Sequence, residues 1–242
     1  MIDFHTHVLA DFDDGPKDAA ESRKIVEELK RQGVTTILST SHFYPYEESP
    51  ESFLSRRDAG FAQLLENCAD IVGIELVKGA EVYCSHILDF MIDPGSLCID
   101  KTQTILIELP NKGSFSESVI RITRNLSVKH GLTPVIAHVE RYPEVSSFSA
   151  KKINKLKSAG CRIQVNCDSL LGGKYYNLVH KLIGKGLVDV IGSDCHDMSR
   201  RPPRMKQACE AIAREFGHGE LDKMLSNAEE LVRGKPAAGI FC

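Results

Sequence analysis

Seven short runs rich in aliphatic and β-branched residues recur along this chain, and longer amphipathic stretches separate them. They begin at residue 1 (MIDFH), 35 (TTILSTS), 74 (IELVKGAE), 104 (TILIEL), 133 (TPVIAH), 162 (RIQVN) and 189 (DVIGSD). Strands that alternate with helices pair in parallel, because each crossover returns the chain to the same edge in the same direction. The stretches between them follow helical grammar. In PKDAAESRKIVEELKRQG, Pro16 stands where a first-turn proline is tolerated, Ile25, Val26 and Leu29 share one face, and Gly33 is a C-terminal stop. SESVIRITRNLSVKHG and SAKKINKLKSAG repeat the scheme, and two helices over roughly 202–234 close it. No repeat, low-complexity tract or long linker interrupts the chain, which predicts one α/β domain over 1–242. Seven units suit a closed, barrel-like sheet better than a doubly wound one, although periodicity permits either.

Composition excludes several function classes. A hydrophobic share of 42% over 242 residues supports a sizeable core. A net charge of −3 argues against nucleic-acid partners and against anionic membranes, both of which select a basic face. No run of 18 apolar residues occurs, so no stable membrane insertion is expected, and Asp3, His5 and His7 break any secretory-signal pattern. The eight cysteines (68, 84, 98, 161, 167, 195, 209 and 242) form no CxxC pair. They predict reduced fillers in a cytoplasmic protein rather than a disulfide framework or a structural zinc site.

In a parallel barrel the C-terminal strand ends meet at one rim. Read to their ends, the first run gives His5 and His7, the second His42, the third Glu81, the fourth Glu108, the fifth His138, and the seventh Asp194 and His196. The sixth offers only Asn166 and Asp168. Solvated polar residues would fall on helices and arbitrary loops instead. Residues i and i+2 of a strand face one side, so His5 and His7 can address one ion, and Asp194 and His196 neighbouring ones. Imidazole with carboxylate, without thiolate, suits Mn, Fe or Zn, and the donors outnumber what one ion needs. Two or three clustered divalent ions are implied, bridged by a carboxylate and a solvent-derived hydroxide.

The segments HTHVLADFDDGP (5–16), STSH (39–42), GAEVY (79–83), ILIELP (105–110), AHVERY (137–142), SDCH (193–196) and RPP (201–203) run in order over nearly the whole chain. With them the chain resembles the PHP (polymerase and histidinol phosphatase) superfamily. Within it the chain is similar to the bacterial manganese-dependent protein-tyrosine phosphatases of capsule and exopolysaccharide operons. The resemblance implies a distorted, TIM-like (βα)7 barrel, the PHP fold, as a single metallophosphatase domain with a trinuclear site. It implies that His5, His7, Glu81 and Asp194 hold a first ion, and that Glu81 bridges to a second held by Glu108 and His138. Asp14, His42 and His196 would hold a third, with Arg141 and Arg201 gripping the phosphoryl oxygens. Mn2+ is the expected metal. The implied substrate is a phosphotyrosine protein, the tyrosine-rich tail of a membrane-associated bacterial kinase met from the cytoplasm. Asp197 departs from the pattern, which has asparagine there; the extra carboxylate either opposes phosphate or turns outward.

The expected chemistry is attack by a metal-bridged hydroxide without a covalent intermediate, with cations and bidentate arginines neutralising the ester. Asp197 and His42 are the nearby candidates for a general acid. Histidinol-phosphate or another small phosphomonoester is the alternative substrate; histidinol-phosphate members often carry histidine at the position of Asp14. Cys195 and Arg201 match C-x5-R, the spacing of thiolate phosphatases, but HDMSR between them lacks glycine. Amidohydrolase chemistry would ask for an eighth strand and a carboxylated lysine. A non-catalytic metal-binding module would be expected to lose ligands. His86, His130, His180 and His218 read as surface residues, Arg200 and Arg204 as solvated, Asp13 as a loop carboxylate or turn former, and Lys174, Tyr175 and Tyr176 as connectors.

Overall fold

A computed structural model describes residues 1–146 and 150–233. Its strands are β1 (Ile2–Thr6), β2 (Thr36–Ser39), β3 (His42–Phe43), β4 (Glu75–Lys78), β5 (Glu81–Tyr83), β6 (Thr104–Glu108), β7 (Thr133–Ile136), β8 (Arg162–Asn166) and β9 (Val190–Gly192). The helices are α1 (Ala19–Arg31), α2 (Pro50–Asn67), α3 (Glu117–His130), α4 (Pro143–Ser146), α5 (Ala150–Ser158), α6 (Tyr176–Gly184), α7 (Met205–Phe216) and α8 (His218–Arg233).

Every ladder is parallel. One has the order β1-β2-β4 and the other β3-β5-β6-β7-β8-β9. Two of the seven runs are each split in two. The run from 35 becomes β2 and β3, and the run from 74 becomes β4 and β5. Glu81 N–H donates to both Thr40 O (3.1 Å) and Ser41 O (3.0 Å), so the chains stay bonded across the break. At the other edge Asp194 N–H donates to His5 O (2.7 Å) and His7 N–H to Cys195 O (3.0 Å), joining β1 to the segment after β9. The result is a curled parallel sheet.

Helix formation follows from local chemistry. Asp18 caps α1 by accepting Glu21 N–H at 2.8 Å, and Ile25, Val26 and Leu29 are fully buried against the sheet. Each such side chain contributes about 1.5–3 kcal/mol. The concave side has a second, smaller apolar layer of Phe4, Leu38, Leu106, Val135 and Val190, packed on Ala228 of α8. That layer is a floor. The inward positions of the strands beyond it become polar, and there the sheet carries its chemistry.

Candidate metal centre

Strand alternation alone would turn some of these groups away, and three local irregularities bring them inward. The register of β1 against β2 slips by one residue between Asp3 and Thr6, a bulge that lets Phe4 join the floor while His5 also faces the centre. Ala137 lies in the floor cluster, and its neighbour His138 turns inward through a left-handed backbone (φ 31°). Asp194 does the same at φ 50°. Non-glycine residues in this region are strained, and such strain gathers at functional sites.

The inward donors sit at the spacing of ligands around an ion. His5 Nε2, His7 Nε2, Glu81 Oε2 and Asp194 Oδ1 are buried, and five of their six separations are 3.1, 3.2, 3.4, 3.5 and 3.6 Å. Ligands about 2.0–2.2 Å from a common cation stand about 3.0–3.6 Å apart, so the set matches one coordination sphere. A second cluster joins His42 Nδ1, Glu81 Oε2 (3.1 Å) and Glu108 Oε2 (4.0 Å from His42). His138 Nε2 lies 2.8 Å from the other Glu81 oxygen. A third cluster gathers His7, Asp14, His42 and His196, with Asp14 Oδ1 at 3.0 Å from His196 Nε2 and 3.5 Å from His42 Nε2. Thus all nine residues singled out for metal lie in one constellation. His42 borders two clusters through its two nitrogens, and His7 borders two, but an imidazole protonated at one nitrogen has one lone pair for one cation.

The surroundings fix which nitrogen of each ring is free. His7 Nδ1 lies 2.9 Å from Asp13 Oδ2, His5 Nδ1 3.4 Å from Gln164 Oε1, and His196 Nδ1 3.0 Å from Asp194 O. A proton on each Nδ1 leaves each Nε2 lone pair pointing into the cluster, the usual orientation of a metal-binding imidazole. Among the described residues, Glu81 Oε2, His42 Nδ1 and His196 Nε2 are buried without a hydrogen-bond partner. A buried polar atom without a partner costs about 1–3 kcal/mol. Three of them aimed at one centre fit a bound cation.

Electrostatics agree. Burial alone would raise Glu81 and Asp194, yet His5 and its neighbours hold both carboxyls well below the usual range. Burial likewise opposes the low value of Asp14, which the nearby His196 and His42 rings impose. Arg141 Nη2 and Arg201 Nη2 each lie 2.7 Å from Asp194 Oδ2, and Asn166 Nδ2 donates to the same oxygen at 2.6 Å. Asp194 therefore links the imidazoles to both arginines. Asp168, the other polar residue of that run, points outward to Arg204 at 3.4 Å.

Several readings change. Asp13 is more than a turn former: its Oδ1 accepts Gly15 N–H (3.0 Å), while its Oδ2 accepts from the His7 ring and from His42 N–H (3.0 Å). Asp197 turns onto its own loop, where Oδ1 accepts Ser199 N–H (2.6 Å), Arg200 N–H (2.5 Å) and Arg201 N–H (3.4 Å). Burial opposes but does not outweigh these bonds, which lower Asp197 to about 2, so it is ionised at neutral pH and donates no proton. Cys195 is fully buried, and burial pushes its thiol well above the ordinary value, which removes the thiolate nucleophile. His86 and His218 are exposed, as a surface role requires, whereas His180 lies 2.6 Å from Glu215 Oε2. Gln164, whose Oε1 lies 3.4 Å from His5 Nδ1 and accepts His138 N–H at 2.6 Å, is a further residue of the centre that the sequence motifs do not single out. Its signal is a large polar residue at an inward position of RIQVN, a strand that otherwise reads as buried.

Comparison with known proteins gives a consistent result. The family model described as "Capsular polysaccharide synthesis, CpsB/CapC" matches residues 1–233. Tyrosine-protein phosphatase CpsB of Streptococcus pneumoniae is 33% identical over 232 residues, covering 90% of this chain and 91% of the relative. A chain from the crystal structures of YwqE from Bacillus subtilis and CpsB from S. pneumoniae, described as metal-dependent tyrosine phosphatases, superposes with TM-score 0.82. It is 26% identical and covers 98% of this chain and 96% of its own. A phosphotriesterase homology protein from Escherichia coli, at 13% identity and TM-score 0.58, covers 95% of this chain and 97% of its own and shares the fold.

Proposed function

The chain belongs to the capsular polysaccharide synthesis family CpsB/CapC, and from that premise we propose that it is a metal-dependent phosphatase hydrolysing phosphotyrosine in proteins. The observation that carries the reading is the convergence of buried, partnerless donor atoms (Glu81 Oε2, His42 Nδ1 and His196 Nε2) with His5, His7 and Asp194 at ligand spacing. We assign His5, His7, Glu81 and Asp194 to one ion, Glu81, Glu108 and His138 to a second, and Asp14, His42 and His196 to a third, with Mn2+ the intended metal. When bound, such ions supply positive charge for a dianionic ester and lower the pKa of water.

The chain's own groups do the rest. A guanidinium has five N–H donors, and Arg141 and Arg201 each direct one nitrogen to Asp194, leaving others for ester oxygens in a bidentate grip. Asp197 fixes the loop that presents Arg201. Phenolate is a good leaving group, which suits a site whose Asp14, Asp194 and Asp197 are all held ionised. The two ladders and their bonds at His5 and His7 are read as one distorted seven-stranded barrel forming a single domain. The substrate we favour is the tyrosine-rich tail of a membrane-associated kinase governing capsule or exopolysaccharide synthesis, reached from the cytoplasm. Among the described residues no helix is long and apolar enough to cross a membrane, and seven buried cysteines are free thiols.

The test is a comparison of turnover on a phosphotyrosine peptide, histidinol phosphate and a nucleic-acid substrate, with Mn2+, Fe2+ and Zn2+ added in turn. Preference for the peptide by at least tenfold is the expected result. Faster turnover of histidinol phosphate overturns the substrate assignment.

A further inference from the structure

Strand geometry stacks a second layer of side chains outward from the candidate ligands. His42 pairs with Glu81 and Phe43 with Val82 in the β3–β5 ladder, a register that carries Tyr44 opposite Tyr83. Tyr44 and Tyr83 follow His42 and Glu81 at i+2, on the same side of their strands and about 6.6 Å farther along. Tyr83 in turn pairs with Glu108. Tyr46 completes the layer. The ring centroids form a triangle of 5.7 Å (Tyr44–Tyr46), 5.8 Å (Tyr44–Tyr83) and 5.6 Å (Tyr46–Tyr83), the last pair edge to face at 85°. Tyr44 also stacks on the His42 ring at 5.1 Å and 22°.

These rings are not core. Tyr46 is 60% exposed, and Tyr44 and Tyr83 are only partly covered. Three tyrosines packed edge and face beside a polar centre keep apolar ring surface at its mouth. The arginines stand elsewhere on the rim, on the segments following β7 and β9. A phosphomonoester held by its phosphoryl group between cations and arginines must project its organic part outward. On the β3–β5 side that part meets the tyrosine layer.

We infer that Tyr44, Tyr46 and Tyr83 form the surface that selects an aryl phosphate over an alkyl one, by packing edge or face against the ester's ring. The assignment rests on the phosphatase reading above and adds to it a determinant of substrate class. Tyr44 also braces His42 and is a positioning residue for the centre, so Tyr46 and Tyr83 are the informative positions.

The experiment uses the metal-loaded protein and its Tyr46→Ala, Tyr83→Ala and Tyr46→Phe variants. Binding of phenylphosphonate and of methylphosphonate is measured by calorimetry, and kcat and KM are measured on a phosphotyrosine peptide and a phosphoserine peptide. Each alanine variant is expected to weaken phenylphosphonate about 3- to 10-fold, the size of one aromatic pair. KM for the phosphotyrosine peptide should rise equally with kcat within about twofold, methylphosphonate should be unaffected, and Tyr46→Phe should bind like the parent. Equal losses on both phosphonates, or no loss on phenylphosphonate, overturn the assignment. A parent protein that binds both phosphonates but hydrolyses neither peptide contradicts the phosphatase reading, and this determinant falls with it.

Discussion

Asp13 Oδ2 accepts from His7 Nδ1 and from the backbone N–H of His42, and so one carboxylate orients two candidate ligands. Removing such an outer partner typically costs 10–100-fold in metal affinity. Asp13→Ala is therefore expected to weaken Mn2+ binding by about 10–100-fold in a calorimetric titration while the fold persists; unchanged affinity would show that His7 needs no such support. Burial opposes the low pKa of Asp13, which the adjoining His7 ring imposes. This role could not be read from the chain. DDG after a strand carries the chemistry of a turn, and Asp13 does serve Gly15 N–H in that way, but its second oxygen meets residues 6 and 29 positions away. Gln164 is hidden for the same reason, because its partners His5 and His138 N–H lie 159 and 26 positions off. The candidate ligands themselves are legible, since ionisable residues at the ends of apolar runs have few other reasons to be there.

At the scale of elements, the meeting of β9 with β1 depends on Gly192. A Cβ added there would stand 2.6 Å from His5 Cβ and 2.9 Å from His5 N, closer than real contacts allow. Gly192→Ala must push the strands apart or displace His5. The expected cost is about 1–3 kcal/mol of stability, measured by urea unfolding, together with weakened Mn2+ binding. Parental stability and affinity would mean that this approach is not tight. The seven runs were legible because alternation of apolar strands with capped helices constrains pairing direction. Their division at Thr40–Ser41 and Gly79–Ala80 was not, because TTILSTS and IELVKGAE read as continuous strands and the break is made by hydrogen bonds between them. Inward rotation of His138 and Asp194 depends on positive φ at non-glycine residues, which sequence does not announce.

At the scale of the whole molecule, seven cysteines among the described residues are buried and free. Burial raises Cys84, Cys98 and Cys161 from 9.0 to about 12. Between those values the folded chain keeps protons that the unfolded chain has released. Stability is full below the unfolded value and declines as pH rises toward the folded one, by about 1.4 kcal/mol per pH unit for each fully shifted thiol. Urea midpoints measured from pH 8 to 11 should fall accordingly, and a flat profile would contradict the burial of these groups. The same burial leaves the cysteines out of the chemistry and leaves the work to the rim. If segments as distant as His5 and His196 meet to hold divalent cations that the reaction requires, one assay addresses the claim directly: phosphotyrosine-peptide turnover by chelator-treated protein, before and after Mn2+ is restored. Turnover should vanish on chelation and return with the metal, whereas full activity in the metal-free protein would contradict the account.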